Sequence, residues 1–351
     1  MNYIGRKYSL LGFLEEGIMP FVHPDAERFF DIFAGTGTVG WYFKQKGFSI
    51  VANDIQYYAY CLNRAYVGMN RPPAFYRLRQ EIGLPARRSF LSVLRAINAT
   101  RPRRGFVFQN YCPGGSSTQK RIYFSDSNGR RCDGIRQQIE EWLRDGLIKE
   151  SEYYYLLASL IVAMDRVANT ASVYAAYLKR LKKSAQRDFV LDSVPTSGGR
   201  GRHAVYHKNG QDLVGRIACD ILYMDPPYNQ RQYCTNYHVL ETIAAYDNPP
   251  LIGKTGLRPY DEQRSDFCVK ARALGALEDM VQRTRAQYVF LSYNSEGLMA
   301  KRDILDVMRA YGTADVRSKR YPRFRADVDS PNRKYKANSV TEYLFRLKKL
   351  R

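Results

Sequence analysis

The sequence predicts a mostly parallel open α/β sheet with helices on its faces, interrupted by a mainly helical insertion. Three observations predict it. Short apolar runs alternate with helical stretches; the first two runs are joined through a glycine-rich turn and a helix; and this alternation stops near residue 69 and resumes near 204. The first strand signal is Phe29-Phe30-Asp31-Ile32-Phe33. A glycine turn and an amphipathic helix over 39–46 follow, Gly47 ends that helix, and residues 48–52 supply a second strand. Two consecutive strands joined by a helix imply parallel pairing.

From about 69 the texture changes. Residues 71–104 hold nine arginines (71, 77, 79, 87, 88, 95, 101, 103 and 104) against one acid, Glu81. Apolar residues then recur at helical spacing, first Ile135, Ile139, Trp142 and Leu143, then Leu157, Leu160, Ile161, Met164 and Val167. A stretch rich in Ser, Gly and Arg over 192–203 reads as a flexible loop that closes the insertion. Strand patterning resumes at 204–206, 221–224 and 288–292, separated by helical stretches near 236–246 and 268–284. The last signal, 340–347, alternates polar and apolar residues and reads as an antiparallel edge strand.

The 351 residues carry 55 Lys plus Arg against 34 Asp plus Glu, a formal net charge of +21 that implies a polyanionic partner. Nucleic acid and an anionic membrane both fit that charge, but no stretch approaches the roughly 18 consecutive apolar residues of a membrane span, so nucleic acid is the favoured partner and the expected location is the cytoplasm. The six cysteines, at 61, 112, 132, 219, 234 and 268, form no Cys-x-x-Cys pair and read as reduced thiols. His203 and His207 stand i, i+4 but lack a third ligand. They read as solvated or DNA-facing, and no metal is expected.

Two segments carry chemistry. Gly35-Thr36-Gly37-Thr38-Val39-Gly40 lies between strand and helix, with Asp54 nineteen positions after Gly35. Glycines let the backbone pass close to a bound nucleoside, and an acid at the end of the next strand can accept ribose hydroxyls, whether the ligand is NAD or S-adenosylmethionine. The deciding segment is Asp225-Pro226-Pro227-Tyr228, directly after the strand 221–224 and hence at its carboxyl edge, where active sites of open α/β sheets lie. Two successive prolines lack amide donors, so the carbonyls before and between them are rigidly held acceptors. Asp225 and the Pro226 carbonyl can accept both hydrogens of an exocyclic aromatic amine and return electron density to its nitrogen. Tyr228 offers a ring for a flipped base, a contact worth about 1–3 kcal/mol.

Together with Asn2-Tyr3-Ile4-Gly5-Arg6-Lys7 and Asp212-Leu213, these motifs in this order resemble the alpha group of DNA N6-adenine methyltransferases, the Dam and FokI-like class. The resemblance covers residues 1–68 and 204–351. It implies a class I methyltransferase fold, Rossmann-like, with a mostly parallel seven-stranded sheet in two catalytic halves, 1–68 and 204–351, and a target-recognition insertion over 69–203. It implies S-adenosyl-L-methionine as methyl donor, adenine N6 in a specific double-stranded DNA sequence as acceptor, and Asp225, Pro226, Pro227 and Tyr228 as the catalytic segment. By the same resemblance Tyr3 and Lys7 help close the cofactor pocket, Asp31, Phe33, Gly35 and Gly37 line it, Asp54 with Ile55 beside it holds the ribose, and Asp212 and Leu213 meet the cofactor's adenine. The class also implies a restriction-modification setting, with a cognate restriction endonuclease acting separately, and association with a bacterial nucleoid through DNA.

The residues themselves leave rivals. Methylation of RNA or of cytosine N4 uses the same acceptor chemistry, the glycine spacing alone suits an NAD-dependent dehydrogenase, and a catalytically silent DNA-binding module could keep the fold. Asp165, Asn169 and Thr170, on a strongly apolar helix, read as buried hydrogen-bonding groups. The basic run from Lys319 to Arg325 mixes aromatics with charge, as a surface against DNA does.

Overall fold

Strands covered on both faces read as unbroken apolar runs, and residues 221–224 and 288–291 of this chain take that form. The computed structural model describes residues 7–84, 90–196, 198, 201–322 and 339–350. Its strands are β1 (Arg28–Asp31), β2 (Ser49–Asn53), β3 (Ala204–Tyr206), β4 (Ile221–Met224), β5 (Tyr288–Asn294), β6 (Gly312–Pro322) and β7 (Ser339–Lys349). Every residue of β4 and β5 is buried, as are nearly all of β1 and β2. One seven-stranded sheet results, in the order β3-β2-β1-β4-β5-β7-β6. β1 pairs in parallel with β2 and β4, β2 with β3, and β4 with β5, whereas β7 runs antiparallel to β5 and β6.

One expectation needs correction. The run 340–347 is antiparallel, but it is not an edge strand: β6 lies outside it. The sequence of β6, Gly-Thr-Ala-Asp-Val-Arg-Ser-Lys-Arg-Tyr-Pro, carries little apolar pattern because an edge strand leaves much of itself in solvent. Its register comes from β7, from Gly312 opposite Lys349 to Pro322 opposite Ser339. Lys319 and Arg320 of the basic run belong to this strand, and Arg323, Phe324 and Arg325 lie outside the described residues.

The α-helices are α1 (Leu11–Ile18), α2 (Thr38–Gln45), α3 (Tyr57–Tyr66), α4 (Tyr76–Glu81), α5 (Leu91–Asn98), α6 (Phe106–Tyr111), α7 (Asp126–Arg144), α8 (Glu150–Arg166), α9 (Gly210–Leu213), α10 (Cys234–Ala245), α11 (Lys270–Arg283) and α12 (Lys301–Arg309). They divide between two compact units. One unit, Gly5–Ile55, Gly199–Tyr233 and Asp261–Arg351, holds the whole sheet with α1, α2, α9, α11 and α12. Its core packs Phe30, Ile32, Leu222, Met224, Val289 and Leu291 against Leu277, Met280 and Val281 of α11 and Ile304 and Met308 of α12. On the opposite face Phe29 stacks on Phe43 of α2 with ring centroids 4.5 Å apart. Gly17 lets α1 lie close on β7, since a Cβ there would stand 2.4 Å from Leu344 Cδ2.

The other unit, Met1–Ile4, Gln56–Gly198 and Cys234–Tyr260, is helical in its described part. The stretch near 236–246 becomes α10 and packs with α3 and α8 in this unit. Ser125 caps α7 by accepting from the Asn128 amide. Buried Asp133 accepts from the amides of Gly105, Val107 and Phe108 and from the Tyr246 hydroxyl. Asn169 behaves as a structural group: it is fully buried, donates to the carbonyls of Ile122 and Leu178, and accepts from the Lys182 amide. All six cysteines are buried, and burial pushes the thiols of Cys61, Cys112, Cys132, Cys219 and Cys268 above their ordinary range.

Candidate active site

The glycine turn leaves the carboxyl end of β1 with Gly35 at φ 51° and Gly37 at φ 77°, a left-handed backbone that glycine adopts without a Cβ clash. Gly37 immediately precedes α2 and closes the turn through its amide on the Ala34 carbonyl at 2.8 Å. The Asp54 carboxylate accepts from the Gly35 amide at 2.7 Å, and the Ala34 amide donates to the Asn53 carbonyl at 2.9 Å. Buried Asn53 donates to the carbonyls of Ile32 and Lys208 and accepts from the Lys208 amide. The ends of β1 and β2 and the segment after β3 are thereby tied into one frame around the turn.

Several other residues expected around a cofactor lie in the same unit as that frame. Phe33 is half-buried with its ring edge-to-face against Phe267 at 5.5 Å. The Ile55 carbonyl meets His207 Nε2 at 2.9 Å. Gly210, at the start of α9, approaches closely enough that a Cβ would lie 3.3 Å from Ile32 Cγ1. Asp212 on that helix is exposed, while Leu213 is buried in the core cluster. Tyr3 lies outside the described residues.

Strand alternation brings the ionisable groups together. In register, Asp31 stands opposite Tyr223, Tyr223 opposite Phe290, and Asn294, on the same side of β5 as Phe290, opposite Glu342. Residues two apart share a face, so Asp31, Tyr223, Asp225 and Glu342 project from one side at the carboxyl edge of the parallel strands. Lys7, in the 3-10 turn Lys7–Leu10 before α1, reaches into this cluster with Nζ 3.2 Å from Asp225 Oδ1 and 3.7 Å from Glu342 Oε2.

The electrostatics follow from burial of charge. The Asp225 side chain is 20% exposed. Desolvation raises its pKa to about 6, with Lys7 pulling down and Glu342 pushing up. Burial opposes the Lys7 charge, but the carboxylates of Asp225 and Glu342 outweigh it and hold the ammonium above its usual range. Asp31, 1% exposed, is held well above the ordinary carboxyl range by burial and then by the charge of Asp225, and its Oδ1 has no hydrogen-bond partner. Tyr228 packs edge-to-face on Tyr293 at 6.4 Å.

Lys7, Asp31 and Asp225 therefore share one cluster, and Gly35, Gly37 and Asp54 form the neighbouring turn. Glu342 is the member that sequence reading passed over. Its signal was parity, since a charge sharing strand phase with Leu344 faces inward. The two histidines flank β3, and they divide on the expectation of solvation: His207 is exposed, but His203 is not. His203 is half-buried, accepts from the Ile50 amide, and is pushed down to about 4 by desolvation and the Lys44 charge. Among the described residues no three His, Cys, Asp or Glu side chains stand together as metal ligands, and no helix is long and apolar enough to cross a membrane.

Residues 3–305 match the D12 class of N6 adenine-specific DNA methyltransferases. The chain belongs to this family. It is a site-specific adenine DNA methyltransferase, and the seven-stranded mixed sheet is its class I methyltransferase fold. The dehydrogenase, RNA and cytosine readings fall away with that membership. The type II methyltransferase M.NlaIII of Neisseria lactamica is 43% identical over 99% of both chains. The type II methyltransferase M.CviAII of Paramecium bursaria Chlorella virus 1 is 32% identical over 98% of this chain and 97% of its own. The type II methyltransferase M.FokI of Planomicrobium okeanokoites is 36% identical over 99% of this chain but 53% of its own length, so this methyltransferase spans about half of that relative.

Proposed function

We propose that the methyltransferase uses S-adenosyl-L-methionine to methylate N6 of an adenine swung out of a specific double-stranded DNA sequence, with Asp225 as the acceptor that activates the amine. The observation that carries this reading is the Asp225 carboxylate, partly exposed at the carboxyl edge of β4, one strand away from the glycine turn that follows β1. Asp225 and the Pro226 carbonyl accept the two N6 hydrogens and return lone-pair density to nitrogen. The two prolines hold those acceptors rigid before the base arrives, and Tyr228 stacks on the flipped ring.

The residues fit the donor. S-adenosylmethionine supplies an electrophilic methyl on a positively charged sulfur, and its amino acid end carries an ammonium. Asp31 Oδ1, buried without a partner, is an acceptor for that ammonium. The Gly35–Asp54 hydrogen bond fixes the turn, and in this reading Asp54, with Ile55 beside it, also meets the ribose. Phe33, Gly37, Asp212 and Leu213 complete the proposed pocket, with Leu213 supporting it from the core.

Target recognition is assigned to the basic region 69–203. There Arg71, Arg77, Arg95, Arg101 and Arg104 are exposed, whereas Arg79 is buried and Arg103 pairs with Glu141 at 2.6 Å. The exposed arginines suit phosphate positioning and guanine contacts. A restriction endonuclease of the same specificity would be the separate partner, and a nucleoid in the bacterial cytoplasm the setting. Labelled-methyl transfer tests the central role: Asp225→Ala abolishes transfer and retains calorimetric affinity for S-adenosylmethionine, and wild-type turnover in this variant overturns it. Sequencing of methylated adenines in exposed duplex DNA gives the recognised site.

A further inference from the structure

We propose that Glu342 is a positioning residue that takes the Lys7 ammonium from Asp225 when the target adenine enters, so that the lysine guards the carboxylate in the empty site without blocking it in the filled one. The proposal rests on the reading of Asp225 as the N6 acceptor.

One ammonium stands between two carboxylates at unequal distances, 3.2 Å to Asp225 Oδ1 and 3.7 Å to Glu342 Oε2. Glu342 Oε2 is buried and has no hydrogen-bond partner. A buried carboxylate in that state is costly, and an apolar side chain beside Leu344 would avoid the cost. Nothing in the strand pairing of β7 calls for a charge at this position. What the position does supply is a second acceptor within about an ångström of hydrogen-bond contact with Lys7.

That second acceptor matters because Lys7 and adenine compete. The N6 hydrogens require the Asp225 oxygens that the ammonium faces in the empty site. The Lys7 side chain is 7% exposed, so an ammonium displaced from Asp225 cannot simply hydrate. Moving toward Glu342 keeps its charge paired and opens Asp225. The groups facing Asp225 are Lys7 from the turn before α1, Glu342 from β7, Asp31 from β1, Tyr223 from its own strand and Tyr228 from the loop after it. Among them Lys7 is the cation.

The isosteric Glu342→Gln variant tests this, with Glu342→Met as an apolar replacement that must behave alike. Without the second carboxylate, Lys7 binds Asp225 more tightly and the like charge beside Asp225 is gone. The acid limb of the pH profile of kcat/KM should move to lower pH by about one unit. Plateau turnover should fall about tenfold, because a pairing stronger by one pH unit holds that much more of Asp225 closed to the base. In the Lys7→Met background there is no lysine to move, so the same substitutions should leave plateau turnover as it is in Lys7→Met alone. An unmoved acid limb, undiminished plateau turnover, or an equal fall in both backgrounds overturns the proposal; the last identifies a structural role. Full activity of Asp225→Ala would instead remove the acceptor reading beneath it, which separates the two failures.

Discussion

Asp225 should make the protein less stable in exchange for its reactivity, and Asp225→Asn should expose the difference. The folded pKa of about 6 lies above the ordinary value of 3.8, so the folded state binds the proton more tightly than the unfolded state. Stability is therefore lost as pH rises from 3.8 through about 6, and the loss is complete above that window. At about 1.4 kcal/mol per pH unit the full loss is about 3 kcal/mol near pH 8, and about half of it is present near pH 5. Asparagine has the shape of the protonated acid and no charge to desolvate. Urea denaturation should find Asp225→Asn more stable than wild type by about 3 kcal/mol near pH 8, with the gap closing toward about pH 4. Methyl transfer should be abolished at every pH. In the wild type, kcat/KM should fall tenfold per unit below about pH 6, because only the carboxylate accepts both charge and hydrogen. A variant no more stable than wild type, or a stability gap independent of pH, would show that Asp225 is not a desolvated acid and would refute the reasoning.

Three further outcomes are expected. Lys7→Met removes the cation that pulls the Asp225 pKa down, so the acid limb of the activity profile should move to higher pH; an unchanged limb in the same titration would detach Lys7 from the site. Asp54→Ala frees the Gly35 amide and should weaken S-adenosylmethionine binding by roughly ten- to a hundredfold, the range for hydrogen bonds to a charged group, and calorimetry showing unchanged affinity counts against this role. Asp133→Ala strips the acceptor from three backbone amides in the helical unit and should cost about 3 kcal/mol in urea denaturation, an effect below about 1 kcal/mol being too small for that network.

Periodicity was enough to read the strands that build the middle of the sheet, because burial on both faces demands unbroken apolar runs such as 221–224 and 288–292. The glycine turn and the 225–228 segment were equally legible, since left-handed backbone and rigid acceptors each call for particular residue types. β6 was not legible, because an edge strand is held by the backbone of its neighbour and leaves no apolar signature.

What the sequence determined by itself was the chemistry available: an acid before two prolines, glycines before a helix, and an arginine-rich stretch over 71–104. What only the tertiary structure decided was which distant charges share a site. Lys7, Asp31, Asp225 and Glu342 are separated by up to 335 positions, and they meet because antiparallel register places the start of β7 at the carboxyl edge of β5. Such a meeting is set by pairing between strands, and no local run of residues encodes it.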